Sequence, residues 1–493
     1  MSGRANQPLT LPRLAAAAAA LAAGLFLLTA ALRLTYPYDL DFVENGLLLE
    51  AWQHALGRPV YVAPNADFMP NVYMPLYPWL GGGLLTLTGV AYWPLRLLSS
   101  AAALWTAGLL GWCAHRESGR PWLGIAAAGL YLGGYRLTGF WYDLVRVDAL
   151  SVALAVSGWA VGVYAGRTRR GQWAAAGLLI LAGFTKQTAL ALAVALAGAL
   201  LLQHGRRAWH FPAVCAAGAG LAFWGVDTAA GGWFRFHVLG VAAGDPVEAG
   251  RVIRYLGLEL FGGLGALSGL GVAALALTAR AGGARGVAAQ PWFIGLAAAA
   301  VVSGVGRASV GGNLNNLMPV CAFLCLTPAL LARAWQPAAP RRAEALIAAL
   351  VLLQLAAGAY NPARYIPTPE MRAAGDRLIT RLRAVDGEVL VLMHPYYALL
   401  AGHTPSAQVI HLWYLRAYAG RPWPADWTAR ITERRYAAIV SDESVFEMEP
   451  EFRALLSAHY YPAERLSAAD APATLMGMVV RPAVLYRPRA PDQ

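Results

Sequence analysis

Apolar residues fill most of the first 360 positions, in long runs separated by short polar turns. A run of about 20 apolar residues crosses the hydrocarbon core of a bilayer as a helix. The chain therefore predicts a mainly α, polytopic transmembrane helical bundle. Twelve runs qualify as candidate spans: 14–34, 74–92, 96–114, 122–140, 149–165, 172–185, 187–203, 211–230, 256–279, 291–306, 317–334 and 343–360.

The charges in the turns indicate that one of these runs does not span. Basic residues cluster near 116–120, 167–170, 206–207, 280–285 and 333–342. Cytoplasmic loops carry an excess of arginine and lysine, but twelve spans would place the first two clusters outside. The run 74–92 is rich in proline, glycine, tyrosine and tryptophan, which suit a membrane interface. Treating it as an interfacial hairpin predicts about 11 spans, with a long first outer loop at 35–95.

The composition changes after about residue 361, where charges become frequent and apolar runs become short. Residues 387–394 and 436–442 have the pattern of short buried strands, with helical stretches around them. The pattern predicts a transmembrane domain at 1–360 and a small extracytoplasmic α/β domain at 361–493. The flanking helices are predicted at 369–384, 427–434 and 451–459.

Composition agrees with an integral membrane protein, since 58% of the residues are hydrophobic and 13% are charged. Soluble domains carry about 25% charged residues. The net charge of +12 does not indicate a nucleic-acid partner, because the basic residues lie in short turns between spans. The four cysteines lie in apolar runs. Cys321 and Cys325 have helical spacing, but no histidine or carboxylate lies near them to complete a metal site, so no metal site is predicted.

Three carboxylates follow the first span within six residues: Asp39, Asp41 and Glu44. Carboxylates at a membrane boundary are costly unless they face water or take part in chemistry. A short helix is predicted from about Phe42 to Leu56, ended by Gly57. One carboxylate would act there as a general base on an acceptor hydroxyl. The alternative is that Asp39 and Asp41 only cap this helix.

Other polar residues fall in the loops predicted to lie on the same face. Asp148 opens a span two residues after Arg146. The two are either a second acid of the site with a cation that supplies charge for substrate binding, or an interfacial ion pair that positions a helix end. Lys186 lies at a turn between two apolar runs, either as a phosphate ligand or as a snorkelling lysine. Further candidates for substrate binding are Tyr73, Tyr77, Asp143, Arg251, Arg254, Arg307 and Asn313.

The first half of the chain resembles the polyprenyl-phosphate-sugar glycosyltransferases of the multi-span GT-C class, which includes protein O-mannosyltransferases and lipid A aminoarabinose transferases. Their first outer loop begins with an acidic pair, continues into a short helix and ends in an aromatic hairpin. The matching residues here are Asp41–Glu44, the helix to Gly57, Tyr61, the run 73–79, Arg146-Val147-Asp148 and Phe184-Thr185-Lys186-Gln187.

The resemblance implies transfer of a sugar from a polyprenyl phosphate, with inversion, to a hydroxyl on a glycan, lipid or protein. The family's adjacent Asp-Glu pair is absent, and Glu44 falls on its Glu and Val43 on its Asp. The base is therefore Glu44 or Asp41, with Asp39 in support. Met74 lies near the place where some members have a phosphate-binding lysine, which leaves Lys186 or the later arginines for that role.

Cofactors and competing functions stay partly open. Some family members bind a divalent cation such as Mg²⁺ or Mn²⁺ and others need none, and the residues indicate no cofactor. A lipid-linked glycan flippase would place charges within its spans and show two related halves, and neither is evident. A surface-polysaccharide polymerase or ligase typically has its large outer loop late in the chain, whereas the long loop here comes first.

Overall fold

Long apolar helices build the N-terminal three-quarters of the protein. The computed structural model describes residues 10–335, 340–442 and 450–490. Parts of the predicted 361–493 domain, at 443–449 and 491–493, lie outside these residues. The first sixteen helices are α1 (Leu11–Leu34), α2 (Val43–Ala55), α3 (Leu76–Thr88), α4 (Tyr92–Ser118), α5 (Pro121–Gly133), α6 (Val147–Ala165), α7 (Arg169–Thr185), α8 (Leu190–His204), α9 (His210–Ala229), α10 (Trp233–Arg235), α11 (Ala249–Arg254), α12 (Gly265–Ala288), α13 (Pro291–Ala308), α14 (Met318–Leu324), α15 (Thr327–Ala334) and α16 (Pro340–Gly358).

Eight helical segments among the described residues are long and apolar enough to cross a membrane. They contain α1, α4, α6, α8, α12, α13, the α14–α15 segment and α16. A ninth is obtained if α9 and the segment after it count as one span, bent by 109°. The two other predicted spans fall on α5 and α7, which have only 13 and 17 residues. This explains why the count by length is lower than eleven.

The first loop contains a packed helical hairpin formed by α2 and α3. The glycines of α3 allow this contact, since a Cβ atom on Gly82 would lie 2.8 Å from the carbonyl oxygen of Ala51. A Cβ atom on Gly81 would lie 3.0 Å from the Ala51 methyl group. At 13 residues α3 is shorter than a spanning helix. The helix α2 lies where the sequence predicts a short helix before Gly57.

The described residues of the C-terminal part contain a four-stranded sheet and five α-helices. The strand order is β1-β2-β4-β3, with β1 and β2 parallel and the other pairs antiparallel. Both predicted strands are present, as β1 and β2. The other two contain Pro462, Pro482 and Pro488, which hide a strand pattern. The elements are β1 (Glu388–Val391), β2 (Tyr436–Asp442), β3 (Tyr460–Arg465), β4 (Pro482–Pro488), α17 (Pro369–Arg383), α18 (Pro395–Leu400), α19 (Val409–Ala417), α20 (Ala425–Thr432) and α21 (Pro450–His459).

A buried histidine connects the C-terminal part to the first loop. His394 lies between two carboxylates, with Nδ1 2.8 Å from Asp39 Oδ2 and Nε2 3.1 Å from Asp442 Oδ1. The Tyr397 hydroxyl also donates to Asp39. Burial alone lowers the pKa of His394, but the two carboxylates outweigh it and raise the pKa to about 10. The imidazolium therefore holds Asp39 against the end of β2.

We expect this histidine to make the stability of the protein pH-dependent. A histidine whose pKa is raised on folding contributes fully below its unfolded pKa of about 6.5. The contribution declines as the pH rises towards the folded value of about 10. His394→Gln leaves two buried carboxylates without their cation, so it should cost about 3–5 kcal/mol at neutral pH.

Thermal unfolding in detergent across pH 6–10 measures this effect. The gap between wild type and His394→Gln should narrow as the pH rises. His403→Gln is the control, because His403 bonds only a carbonyl oxygen, that of Leu382, among the described residues. A gap between wild type and His394→Gln that stays constant with pH would contradict the expectation.

Candidate active site

A polar cavity of about 210 Å³ lies where several loops meet beside the C-terminal part. The first loop contributes Asp41 and Tyr73 to its wall, and the α5–α6 connection contributes Trp141 and Arg146. Lys186 enters from the α7–α8 turn. Other parts of the wall come from residues 242–245 and 306–316, from Thr188, from Tyr414 of α19 and from Tyr418 directly after it. All of these loops belong to the face that the sequence predicts to be outer.

One guanidinium group joins the carboxylates of the first loop and α6. Arg146 donates from Nη1 to Asp41 Oδ1 at 3.0 Å and from Nε to Asp148 Oδ2 at 3.3 Å. Its Nη2 donates to the Tyr73 hydroxyl at 3.2 Å, and its Cζ lies 4.3 Å from the centre of a Trp141 ring. Arg146 thus fixes two acids that are more than a hundred residues apart in sequence.

Asp148 also holds a lysine at the edge of the cavity. The Nζ of Lys186 donates to Asp148 Oδ1 at 2.7 Å and to Asn316 Oδ1 at 2.9 Å. Asn315 donates to the same Asp148 oxygen at 2.9 Å. The side chain of Lys186 is 14% exposed, against 2% for Asp148. An ammonium group has three protons to donate, so Lys186 keeps one for a ligand in the cavity.

Asp41 has one oxygen engaged and one free. Its Oδ1 accepts from the Val43 amide at 3.0 Å and from Arg146. Its Oδ2 is buried, and no hydrogen-bond donor reaches it among the described residues. Burial raises the pKa of Asp41 to about 6, although the charge of Arg146 opposes the rise. A carboxylate with a vacant lone pair and a pKa near neutrality suits a general base.

Glu44 is placed differently, because partners occupy both of its oxygens. Arg96 binds it through Nε at 2.9 Å and Nη2 at 2.7 Å. The amides of Leu40 and Val145 donate to it at 2.7 and 2.8 Å. Arg96 in turn donates to three main-chain carbonyls, those of Arg33, Tyr36 and Tyr38. Glu44 does not line the cavity, and it connects the first loop to α4 and to the α5–α6 connection.

Several other candidate residues have structural partners outside the cavity. Asp39 binds His394, as described above. Asp143 pairs with Arg33 at 3.2 Å and accepts from the Tyr135 hydroxyl at 2.6 Å. The Tyr77 hydroxyl lies 3.2 Å from the carbonyl oxygen of Leu95 and 3.1 Å from the Ser99 hydroxyl. None of these candidates lines the cavity.

The late arginines hold the loop at 306–316 in place. Arg307 donates to the carboxylate of Glu259 at 2.8 and 2.5 Å and to the carbonyl oxygen of Gly312 at 2.6 Å. Arg251 donates to the same carbonyl at 3.1 Å, and Arg254 lies 3.8 Å from Glu259. These arginines lie behind the cavity wall, whereas Asn313 is part of it.

Sequence reasoning missed some residues of this region. Arg96 begins an apolar run, where a lone charge indicates a buried partner. Asn315 and Asn316 follow Asn313 in an amide-rich stretch, and their spacing does not show which amide meets Asp148. Tyr414, Tyr418 and Gly477 come close to the first loop only through the tertiary fold, and no local pattern marks them.

Among the described residues, no group of three or more His, Cys, Asp and Glu is arranged to hold a metal ion.

An apolar slot continues from the polar cavity into the helical bundle. Lys186, Thr188 and Asn315 line both spaces. The rest of the slot lies between α6, α8, α13 and α14, and its wall includes Val152, Val156, Leu192, Val302, Pro319 and Phe323. The slot itself is narrow, about 20 Å³. A polar chamber with a cation at its edge thus adjoins an apolar path among the spans.

Comparisons with known proteins agree with this architecture. No family model matches the chain, and no curated protein matches its sequence significantly. Among solved structures, ArnT from Cupriavidus metallidurans bound to undecaprenyl phosphate matches with a TM-score of 0.61 at 15% identity, over 95% of this chain and 97% of ArnT. The Archaeoglobus fulgidus oligosaccharyltransferase tethered with an acceptor peptide matches at 0.52 and 13% identity, over 91% of this chain and 72% of that one.

A third solved structure extends the comparison. The arabinofuranosyltransferase AftD from Mycobacteria matches with a TM-score of 0.51 at 18% identity, over 99% of this chain and 40% of AftD. All three are membrane glycosyltransferases of the GT-C class. The chain therefore has the GT-C fold, which confirms the resemblance seen in its first loop. At these identities the likeness establishes the fold.

We expect Glu44 and Asp41 to differ in their effect on stability. Glu44→Gln leaves the buried Arg96 without its anion and should cost about 3 kcal/mol or more. Asp41→Asn should cost much less, because burial already favours the uncharged form of this side chain. Glu388→Gln, which breaks a half-exposed pair with Arg435, is the neutral control. Thermal unfolding in detergent ranks the three variants, and equal losses for Glu44→Gln and Asp41→Asn would contradict this view.

Proposed function

We propose that the protein is a glycosyltransferase that moves a sugar from a polyprenyl-phosphate donor to an acceptor hydroxyl at the outer face of the membrane. The observation that carries this proposal is the junction at Lys186, where a chamber lined by polar side chains, the carboxylate Asp41 among them, meets an apolar slot. The donor of such a reaction has the same two parts, a charged sugar phosphate and an apolar lipid tail. The GT-C fold supports the same reaction class.

The donor phosphate is proposed to bind at Lys186. Its side chain is partly exposed and lies beside the slot. Its Nζ donates to the side-chain oxygen of Asn316, and the Asn315 amide donates to Asp148, the carboxylate that also binds Lys186. Lysine binds phosphate as a point charge, and a fixed cation at membrane depth suits a lipid phosphate. The ArnT structure contains undecaprenyl phosphate, which supports a lipid of this kind as donor.

Asp41 is proposed as the general base, in preference to Glu44, because no hydrogen-bond donor of the described residues reaches its Oδ2. The acceptor hydroxyl gives its proton to Asp41 as its oxygen attacks the anomeric carbon. The bond from that carbon to the phosphate oxygen breaks, and its electron pair leaves with the lipid phosphate. Lys186 and Arg146 stabilise the departing charge. A single displacement inverts the anomeric carbon.

Asp148 is proposed as a positioning residue in this reaction. It holds both cations of the cavity, Arg146 at 3.3 Å and Lys186 at 2.7 Å. Its own oxygens are occupied by these groups and by Asn315, so it has little capacity to take a proton. The loops that carry these groups alternate with the basic turns, which supports an outer location for the site.

Asp41→Asn should reduce transfer by a factor of about 10²–10⁴, the usual contribution of a general base. In the wild type, kcat/KM should fall as the pH drops below about 6, because protonated Asp41 cannot accept a proton. Wild type and variant are each expressed in a strain that lacks the gene. Membranes of these strains are supplied with labelled polyprenyl-phosphate pentoses and hexoses. Transfer to the endogenous acceptor is followed.

Asp67→Asn is the matched control, since Asp67 belongs to the same loop but is 59% exposed and pairs with Arg430. This variant should keep the wild-type transfer rate. Its kcat/KM should also fall at low pH as in the wild type, a part of the pH profile called the acid limb. Retention of more than half the wild-type rate by Asp41→Asn, in protein of normal stability, would remove Asp41 from the role of base. Absence of donor turnover from every sugar lipid would overturn the proposed function itself.

A further inference from the structure

The cavity has an end that is not part of the donor path. Two tyrosines, Tyr414 of α19 and Tyr418 directly after this helix, line the cavity but not the apolar slot. Asp245 and Gly311 belong to the same end, since a Cβ atom on Gly311 would lie 3.0 Å from Asp245 Oδ2 and 3.2 Å from the Tyr418 hydroxyl. With the donor phosphate at Lys186, this is the end left for the acceptor.

Its side chains suit a sugar. The rings of Tyr414 and Tyr418 are nearly parallel, with centroids 5.2 Å apart and an angle of 10° between their planes. Tyrosine offers an apolar face and a polar hydroxyl, which match the C–H face and the hydroxyl groups of a pyranose or furanose ring. Asp245 accepts from the Gly311 amide at 3.1 Å through Oδ1. Its other oxygen lies on the Tyr418 side of the cavity, where the Tyr418 hydroxyl interacts with the carboxylate. The Asp245–Tyr418 pair thus presents polar groups of the kind that bind sugar hydroxyls.

The charges favour an uncharged acceptor. Among the described lining residues, the charged ones are Asp41, Arg146, Lys186 and Asp245. Both cations already pair with carboxylates, and the donor phosphate takes Lys186. A phosphate or carboxylate on the acceptor would meet Asp245 without a free cation and would be repelled.

We propose that the Tyr414–Tyr418 end binds a neutral sugar residue of a glycan acceptor. This proposal rests on the proposed function, because it assigns the second substrate of the same cavity. It gives α19 a role in recognition, separate from the base at Asp41 and the phosphate site at Lys186.

The test supplies purified protein in detergent with a labelled sugar lipid that native membranes turn over. Unphosphorylated hexose and pentose oligosaccharides, their phosphorylated and uronate counterparts, and hydroxyl-bearing peptides are offered as acceptors. Neutral oligosaccharides should accept the sugar. Tyr414→Ala should raise KM for the oligosaccharide roughly tenfold, with KM for the donor unchanged. Tyr461→Ala, at an exposed tyrosine of β3, is the control.

Preferred use of phosphorylated or peptide acceptors would overturn the proposal, and so would a Tyr414→Ala effect confined to the donor. Donor turnover in native membranes without transfer to any neutral oligosaccharide also counts against it, and leaves the proposed function intact. If native membranes turn over no sugar lipid, the proposed function and this inference fail together.

A glycine of the C-terminal part also contacts the proposed base. The amides of Leu475 and Met476 both donate to the carbonyl oxygen of Leu40, at 2.9 Å. The next residue, Gly477, has a φ of +62°, and a Cβ atom on it would lie 2.3 Å from Asp41 Oδ2. We infer that Gly477 is a positioning residue, since any side chain there would displace the carboxylate from Arg146.

Gly477→Ala should lower kcat and move the acid limb of kcat/KM to higher pH, because a weaker contact with Arg146 raises the pKa of Asp41. Gly119→Ala is the matched control, with a φ of +68° and no atom within 4 Å of its Cβ position. Alanine at this position has a similar backbone strain, because the φ angle is also positive, and the variant should keep the wild-type pH profile. An unchanged acid limb in Gly477→Ala, at any stability, would overturn the inference, while loss of all donor turnover in the wild type would instead refute the proposed function.

Discussion

The buried ion pair between Glu44 and Arg96 is the contact on which the site depends. Arg96 donates hydrogen bonds to main-chain carbonyl oxygens of the segment that follows α1. Glu44 accepts hydrogen bonds from the main-chain amides of Leu40 and Val145. Asp41 lies three residues before Glu44, and Arg146 directly follows Val145. The pair therefore sets the distance between the carboxylate and the guanidinium that meet at the cavity. Such a pair is costly to desolvate, and breaking it leaves an unpaired buried charge.

The acids of the first loop and α6 divide into two groups by their hydrogen bonds. Glu44 and Asp39 have partners on both oxygens and lie away from the cavity. Asp148 also has partners on both oxygens and orders the two cations of the cavity. Asp41 lines the cavity, and no donor of the described residues reaches its Oδ2. A base needs a vacant lone pair, whereas a carboxylate that positions other groups does so through lone pairs that already accept hydrogen bonds. This difference separates residues that look equivalent in the sequence.

The C-terminal part contributes to the site more directly than its separate composition suggests. His394 fixes Asp39 at the start of the loop, and the backbone at 475–477 lies on Leu40 and Asp41. The helix α19 and the residue after it contribute Tyr414 and Tyr418 to the cavity wall. The same region that stabilises the first loop thus also shapes the space proposed for the acceptor.

The sequence alone was sufficient for the class of fold, the first-loop helix and two of the four strands among the described residues. It also named Asp41, Arg146, Asp148 and Lys186 as candidates, and the structure brings these four together. Apolar periodicity, proline and glycine positions and loop charges are local properties, so they can be read along the chain. Which carboxylate keeps an unpartnered oxygen was decided by tertiary structure, because Arg96, His394 and Gly477 reach the first loop from 52, 355 and 436 residues away. Only packing brings such partners together, and only their hydrogen bonds distinguish Asp41 from Glu44.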